Sequence, residues 1–412
     1  MKKIIKYYLN HHVSSIYLSI FQVKILVNYL ISKKRRPDTY QIKSVMQNSS
    51  YINTFFGYYD KSPFNPSNSD LIIFHANNCK PWKKPEPEKP TSIILYDLNN
   101  KIILKEITRT NAWNWQQGSR TFWLNDSEVI YNQFDRQNKL YYSEIYNIKS
   151  ETYRKNPLPV QDAYKDEYFI SISYEALNIT RPDYGYRCKK NKDLDLFSQK
   201  LLFTDLKSGK IDILCAVKDV LRSTSYSVEK ITYPRFNHVS ISPDGKRFVF
   251  LLRFYHKFEL KHYLVLYDLE KNNSEILIED QMISHYCWLD NNNILLWGVI
   301  SKKGDYYILN LENQKLKCLD TGLSDGHPSM LDDKNFITDT YPDKSRLRKL
   351  LLVNLSTSKK KIIGEFLEPV KYISETRCDL HPHPDPEKQN VHIDRIVNGC
   401  RALTIISLKD LK

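Results

Sequence analysis

Three histidines stand at matching positions of successive repeats in the second half of the chain, and an aspartate accompanies the last one. His285, His327 and His381 are separated by 42 and 54 residues, and Asp379 precedes His381 by two positions. Side chains alternate between the two faces of a strand, so Asp379 and His381 point the same way. Imidazole and carboxylate ligands with open coordination positions suit Mn²⁺ or another borderline divalent ion. We therefore expect His327, Asp379 and His381 to bind a divalent metal close to His285.

A structural role is the alternative explanation for these histidines. Polar side chains on strands that line a channel often satisfy the backbone through water, and His-Pro pairs such as His327-Pro328 can end a strand. For any one histidine alone this explanation is favoured. The recurrence of histidine at equivalent positions favours function for the set.

Each of these histidines belongs to a copy of one local pattern, a short strand, a tight Asn, Asp or Gly turn and a second apolar strand. The clearest copy is 236–250, which contains His238 and turns at Ser242-Pro243-Asp244-Gly245. A second phrase, an apolar run ending in Tyr-Asp-Leu or a close variant, follows in register and predicts a third strand. The other copies are marked by Gly57-Tyr58-Tyr59-Asp60-Lys61, Gln117-Gly118-Ser119, Ser284-His285-Tyr286, Gly326-His327-Pro328 and Asp379-Leu380-His381.

A period of roughly 40–57 residues built only of hairpins is typical of a β-propeller. The 120 residues between Gly118 and His238 leave room for one further blade, which we assign to 168–174. We predict an all-β fold, a seven-bladed β-propeller over residues 51–412, with a helix signal only at 217–222. The first strand of each blade should line the channel, and residues 40–54 should supply the strand that closes the ring.

The N-terminal segment differs in composition from the rest of the chain. Residues 1–36 contain eight Lys or Arg and no Asp or Glu, so they carry +8 of the net +14. No small-residue cleavage site follows the apolar stretch 13–32, which disfavours a secretory signal. We interpret residues 1–36 as an amphipathic helix on an anionic membrane surface, followed by a linker over 37–50. A helix docked on the propeller and a true membrane span are the alternatives. The apolar stripe at helical spacing is Ile16, Ile20, Val23, Leu26 and Leu30.

Charge and cysteine content indicate which kinds of ligand the protein binds and in which cellular compartment it lies. The remaining residues carry only +6, with scattered Lys and Arg and no recognition motif, so we expect no nucleic-acid partner. A mildly basic body suits an acidic ligand. The seven cysteines are odd in number and lack a Cys-x-x-Cys spacing, which favours reduced thiols in a cytoplasmic protein. We expect a cytoplasmic location, peripheral at the inner face of the membrane.

Two phrases resemble the propellers of the oligogalacturonate lyase family and its Tol-system relatives. They are Asp325-Gly326-His327-Pro328-Ser329 and Cys378-Asp379-Leu380-His381-Pro382, and the likeness in blade pattern extends over roughly residues 50–412. The resemblance implies a Mn²⁺ ion held by one isolated His and by a Gln-x-x-His-x-His run.

The family's ligand pattern is only partly matched. The isolated His falls on His327 and the last His of the run on His381. Asp379 replaces the middle His, and Thr376, beside Glu375, replaces the Gln. The resemblance also implies that His285 is the general base.

The function so implied is a metal-assisted lyase that cleaves an acidic, uronate-containing oligosaccharide or polysaccharide by β-elimination. A divalent ion would stabilise charge on the substrate carboxylate, and a neutral His would take the α proton. The alternatives are a non-catalytic propeller that binds a glycan or protein in bacterial surface-polysaccharide assembly, and another glycan transformation such as transfer. Further candidates are Arg235 and Arg253 near the catalytic histidine, Arg187 and Arg377 for substrate carboxylates, and Tyr58 and Tyr59 for sugar stacking.

Overall fold

The computed structural model describes residues 14–32, 42–45, 50–189 and 193–409. The strands of these residues form seven antiparallel sheets, and the sheets follow one another along the chain. This architecture is a seven-bladed β-propeller, as the repeat predicts.

The strands are numbered in chain order, and β1 (Ile42–Val45) is the first of them. Blade one contains β2 (Asn53–Phe55), β3 (Phe64–Asn65), β4 (Asn68–Asn77), β5 (Thr91–Asp97) and β6 (Ile102–Thr110). Blade two contains β7 (Phe122–Trp123), β8 (Glu128–Asp135), β9 (Leu140–Asn147) and β10 (Thr152–Asn156). Blade three contains β11 (Asp162–Tyr164), β12 (Tyr168–Ser171), β13 (Lys200–Asp205) and β14 (Ile211–Ala216).

In the second half of the ring, blades four and five have long innermost strands. Blade four contains β15 (Ile231–Ile241), β16 (Arg247–His256), β17 (Glu259–Asp268) and β18 (Asn273–Glu279). Blade five contains β19 (Met282–Trp288), β20 (Asn293–Ile300), β21 (Lys303–Asn310) and β22 (Leu316–Cys318). Blade six contains β23 (Ser329–Met330), β24 (Asn335–Asp339), β25 (Leu347–Asn354) and β26 (Lys360–Leu367). Blade seven contains β27 (His383–Pro384), β28 (Asn390–Val397) and β29 (Cys400–Ser407).

The ring closes through the N-terminal part of the chain. Strand β1 pairs antiparallel with β29, from Ile42 opposite Ile406 to Val45 opposite Thr404, and so becomes the fourth strand of blade seven. This is the closure predicted from residues 40–54. Part of the stretch predicted as a linker therefore belongs to the ring, while residues 37–41 and 46–49 lie outside the described residues.

The inner edge of blade one is interrupted, and this brings new side chains to the channel. Strands β2 and β3 both pair with β4, and residues 56–63 run between them. Tyr58 and Tyr59 lie in this connection and are buried against rings from the opposite blades. Blade one thus supplies an aromatic insertion that reaches across the ring.

The described helices are α1 (Ser14–Ile31), α2 (Tyr174–Thr180) and α3 (Val217–Arg222). The predicted signal at 217–222 is α3, whereas α2 was not predicted. The strand expected over 168–174 ends at Ser171, because the Ser173 side chain accepts the N–H of Ala176 and caps a helix there. The mouth of blade three therefore carries a helical insertion.

Helix α1 contacts the propeller rim. The Ser345 hydroxyl donates to the Ser32 carbonyl at 2.7 Å, immediately after the helix ends. None of the described helices is long and apolar enough to cross a membrane. The boundary predicted after residue 36 lies outside the described residues.

The apolar cores lie within and between neighbouring blades. Leu251 and Leu264 of blade four pack in one cluster with Ile283 and Leu296 of blade five, and all four side chains are fully buried. Burial of each such side chain contributes about 1.5–3 kcal/mol relative to exposure. This packing holds the inner strands, and the side chains they carry, in fixed positions.

Candidate active site

Four histidines from four successive blades form an arc around the Tyr58 ring. His238 lies on β15, His285 on β19, and His327 and His381 directly precede β23 and β27. Neighbouring imidazole centroids along the arc are 5.6, 4.1 and 4.4 Å apart. The structure therefore brings His285, His327 and His381 together, and it adds His238, to which the sequence assigned no role.

The His327 ring is held by one nitrogen and leaves the other without a partner. Its Nδ1 lies 2.8 Å from Asp339 Oδ1, and its backbone N–H donates to the same oxygen at 2.9 Å. Because the carboxylate is an acceptor, Nδ1 carries the proton and Nε2 keeps its lone pair. Among the described residues the buried Nε2 atom has no hydrogen-bond partner.

His381 has the same arrangement with a different acceptor. Its Nδ1 donates to the Gly57 carbonyl at 2.5 Å, and its buried Nε2 has no hydrogen-bond partner in the described part of the chain and lies 3.8 Å from Asp379 Oδ2. The backbone N–H groups of Leu380 and His381 donate to Asp339 Oδ2 at 3.0 and 3.3 Å. Asp339 therefore orients the His327 ring and fixes the backbone at His381, which links blades six and seven.

Both imidazoles are held neutral. Burial, and then the neighbouring histidine ring, lowers the pKa of His327 and of His381 well below the usual value. A fixed Nδ1–H with a free neutral Nε2 is the arrangement that metal-binding histidines adopt. The two rings are thus suited to bind a cation through Nε2.

Asp379 completes the predicted metal group, but arginines share its oxygens. Single ligand atoms of His327, Asp379 and His381 lie within 4.8 Å of one another. Arg377 Nε donates to Asp379 Oδ2 at 2.6 Å, and Arg348 Nη2 lies 2.7 Å from Oδ1. Burial opposes ionisation of Asp379, yet these guanidinium groups outweigh it and hold the pKa well below its ordinary value.

The donor set fits a divalent ion bound by two imidazole nitrogens and a shared carboxylate. The other position suggested by the family pattern does not contribute. Thr376 Oγ1 donates to the Ile373 carbonyl at 3.0 Å, and the Glu375 carboxylate pairs with Lys84 and Arg187. Any further ligands would be water or substrate.

His285 forms a hydrogen-bonded pair with an acid that the sequence prediction overlooked. Its Nδ1 lies 2.9 Å from Asp325 Oδ1, and the Ser284 hydroxyl donates to Asp325 Oδ2 at 2.6 Å. A carboxylate that holds Nδ1–H leaves Nε2 as the nitrogen for proton transfer. The sequence offered one indication of its role, because Asp325 precedes His327 by two residues, as Asp379 precedes His381.

Two predicted arginines lie together and are buried. Arg235 and Arg253 face each other across the β15–β16 pair. Arg253 Nη2 donates to the Ile283 carbonyl at 2.7 Å. Among the described residues, Arg235 Nε has no hydrogen-bond partner, and its Nη1 lies 3.4 Å from the Tyr233 carbonyl. Burial, and then the charge of Arg253, lowers the pKa of Arg235. Neither guanidinium pairs with a carboxylate of the described residues, so the pair is suited to an anionic ligand.

The other two predicted arginines are already paired. Arg187 forms an ion pair with Glu375. Arg377 Nη1 lies 2.8 Å from Asp183 Oδ2, in addition to its bond with Asp379. Both charges are neutralised within the protein, unlike those of Arg235 and Arg253.

The two predicted tyrosines are inside the channel, with only 4% and 3% of Tyr58 and Tyr59 exposed. The Tyr59 hydroxyl bonds to both the carbonyl and the N–H of Tyr286, each at 3.0 Å, which ties it to blade five. The Tyr58 hydroxyl lies 3.0 Å from His238 Nδ1 and 3.5 Å from the Tyr184 hydroxyl. Burial raises the pKa of Tyr58 well above its ordinary value, so this hydroxyl keeps its proton.

Backbone strain coincides with the two ends of the arc. His238 and His381 have φ values of 53° and 47°, in the left-handed region. Such conformations cost about 1–3 kcal/mol each in a residue other than glycine. The surrounding packing fixes both rings at this cost.

No family model matches the sequence, and no curated protein matches it. Solved structures do match. An oligogalacturonate lyase in complex with manganese aligns with a TM-score of 0.63 at 14% identity, over 91% of this chain and 97% of that chain. The oligogalacturonate lyase of Vibrio parahaemolyticus aligns with a TM-score of 0.62 at 12% identity, over 88% of this chain and 92% of that one. TolB from Acinetobacter baumannii aligns with a TM-score of 0.41 at 12% identity, over 83% and 81%. The predicted resemblance is confirmed for the fold. Identities of 14% and 12% support the fold alone.

Proposed function

We propose that this protein is a metal-assisted lyase that cleaves an acidic, uronate-containing saccharide by β-elimination. The observation that carries the proposal is the pair of buried Nε2 atoms on His327 and His381, which have no hydrogen-bond partner among the described residues while both Nδ1 atoms are fixed. A purely structural histidine is expected to satisfy both ring nitrogens.

His327, His381 and Asp379 would hold the ion. Two imidazoles and a carboxylate suit Mn²⁺, and manganese is the metal named for the similar lyase structure. When bound, the ion supplies Lewis acidity toward a substrate carboxylate.

The chain's own groups provide the proton transfers. His285 Nε2 takes the proton from the carbon next to the carboxylate, and Asp325 stabilises the imidazolium that forms. The electron pair of that C–H bond forms the new double bond, and the bond from the next carbon to the glycosidic oxygen breaks. The Tyr58 hydroxyl keeps its proton at neutral pH and is the candidate donor to the departing oxygen.

Arg235 and Arg253 would bind uronate carboxylates. Two buried cations next to each other repel, and an incoming carboxylate relieves that repulsion. An acidic saccharide is thus favoured over a neutral one.

A non-catalytic glycan-binding propeller, acting in surface-polysaccharide assembly, is the second candidate. The engagement of Asp379 by Arg377 and Arg348 favours it, because a carboxylate shared with two cations is a weak metal ligand. The two functions differ in metal content and in turnover.

The test combines metal analysis of the purified protein with turnover of oligouronates, followed by ultraviolet absorbance of the unsaturated product. We expect bound divalent metal in the wild type, loss of metal and turnover in His381→Ala, and a 10²–10⁴-fold loss of turnover with retained metal in His285→Ala. His256→Ala, at the end of β16, is the matched control and should change neither. Glycan binding without metal or turnover in the wild type would establish the second candidate instead.

A further inference from the structure

Helix α1 lies against the propeller rim through one face. Phe21, Ile25 and Asn28 line a cavity of about 540 Å³ together with rim residues of blades six and seven. Ser32, one turn after Asn28, accepts the hydrogen bond from Ser345. These positions recur every three or four residues, so they share one side of the helix.

The other side of α1 is apolar and exposed to solvent. Its large hydrophobic residues that face solvent are Val23, Leu26, Val27, Leu30 and Ile31. A helix that served only to cover the rim would turn its apolar face toward the propeller. A contiguous exposed apolar face indicates an interaction surface.

Charge identifies the occupant of that surface. Residues 1–36 contain eight Lys or Arg and no acidic residue, and Lys33-Lys34-Arg35-Arg36 follow the helix in the sequence. An apolar helical face with basic flanks is complementary to an anionic bilayer, in whose interface such a helix lies. The described helix α1 does not combine the length and the apolar composition needed to cross the bilayer.

We propose that the outer face of α1 binds an anionic lipid bilayer and holds the rim of blades six and seven toward the membrane. The cavity beneath α1 is lined by Arg348 and Arg377, the two arginines that pair with Asp379. The end of the channel that carries the candidate metal ligands therefore faces the bilayer. On the function proposed above, the substrate is an acidic glycan presented at a membrane surface.

The experiment is sedimentation of the full-length protein with phosphatidylglycerol vesicles or phosphatidylcholine vesicles. We expect binding to the anionic vesicles, weakened by salt, and at least about tenfold weaker partition for Leu26→Gln/Leu30→Gln. Leu104→Gln/Leu140→Gln is the matched control, because those leucines are 47% and 54% exposed on blades one and two against 43% and 52% for Leu26 and Leu30. Thermal unfolding of both variants should match the wild type.

Vesicle binding by Leu26→Gln/Leu30→Gln that equals the wild type would overturn the proposal. So would a wild-type dimer in sedimentation velocity that these substitutions dissociate, since a second copy would then cover the helix. Turnover of soluble oligouronates should be unchanged in both variants. Failure of the proposed lyase activity would leave vesicle binding intact, so the two failures are distinguishable.

Discussion

The channel has two unlike halves. In blades one to three, the buried side chains of His75 and Arg120 have their polar groups paired. His75 donates from Nδ1 to the Phe56 carbonyl at 2.8 Å and bonds through Nε2 to Ser119 Oγ at 2.9 Å. Arg120 makes two parallel bonds to Asp60, at 2.9 and 2.8 Å.

In blades four to seven the same residue types keep unused capacity. His327 and His381 each satisfy one ring nitrogen, and Arg235 and Arg253 have no carboxylate among the described residues. Burial of an unsatisfied polar group costs free energy. Residue type alone therefore does not mark the candidate site. What distinguishes it is unmet bonding capacity on buried side chains that lie close together, as His327 and His381 do.

The largest expected contrast is between two buried arginines. Arg120→Met should lower the free energy of unfolding by about 3–5 kcal/mol, because it leaves the Asp60 carboxylate, which is only 17% exposed, without its partner. Arg235→Met should change it by less than about 1 kcal/mol or stabilise the fold, because it removes a buried cation that pairs with no carboxylate of the described part of the chain. Urea denaturation of both variants measures the contrast, and equal losses would contradict it.

Glycine substitutions test how tightly the insertion from blade one is packed. Gly57 has a φ of 128°, and the Cβ of Gly57→Ala would lie 2.8 Å from the Gln117 backbone. Gly209 also has a positive φ, but a Cβ there would meet no atom within 4 Å, so Gly209→Ala is the control. Gly57→Ala should cost about 1–3 kcal/mol more than this control, since overpacking adds to the shared strain. It should also weaken metal binding, because the Gly57 carbonyl orients His381. Denaturation and metal titration test the two parts separately.

Loss of His75 should affect stability without affecting metal content. His75→Ala leaves the Phe56 carbonyl and the Ser119 backbone N–H without their imidazole partner and should cost about 1–3 kcal/mol at pH 7. Metal analysis should match the wild type. A loss of metal equal to that of His381→Ala would contradict the separation of the two halves.

The cost of His75→Ala should also shrink in acid. Burial lowers the pKa of His75 to about 4, so the unfolded chain takes up the proton near pH 6.5 and the folded chain does not. The His75 contribution to stability is therefore complete above about pH 6.5 and falls as the pH falls toward 4. Unfolding of the variant and the wild type across this range measures the convergence.

The smallest expected effect concerns the orientation of the metal ligands. Asp339→Asn should weaken divalent metal affinity by about 10–100-fold, because an amide cannot accept all the N–H groups that the carboxylate accepts. Asp332→Asn, in the turn before β24, is the control and should leave the affinity unchanged. Titration with Mn²⁺ provides the measurement.

The sequence predicted the fold because a periodic pattern repeats the same local evidence several times. Blade number, ring closure by β1 and the meeting of His285, His327 and His381 all follow from that period. Helix α2 breaks the period, so a pattern based on repeats could not include it.

The chemistry of the site depended on pairings that the repeat does not contain. His381 is oriented by Gly57, 324 positions away along the chain. Arg377 is paired with two carboxylates, whereas Arg235 pairs with none in the described ranges, and this difference depends on which acids lie nearby in space. Residue identity alone could not distinguish them. Asp325 was the one exception, since its position beside His327 was a usable signal.

Ring closure has a consequence for how the chain is made. Strand β1 leaves the ribosome early, but its partner β29 follows about 360 residues later, with Thr404 opposite Val45. At translation rates of about 5–20 residues per second, the N-terminal strand waits roughly 20–70 seconds for a partner. During that interval an unpaired edge and an apolar α1 are exposed together, which favours early capture of the nascent chain by a chaperone or a membrane surface.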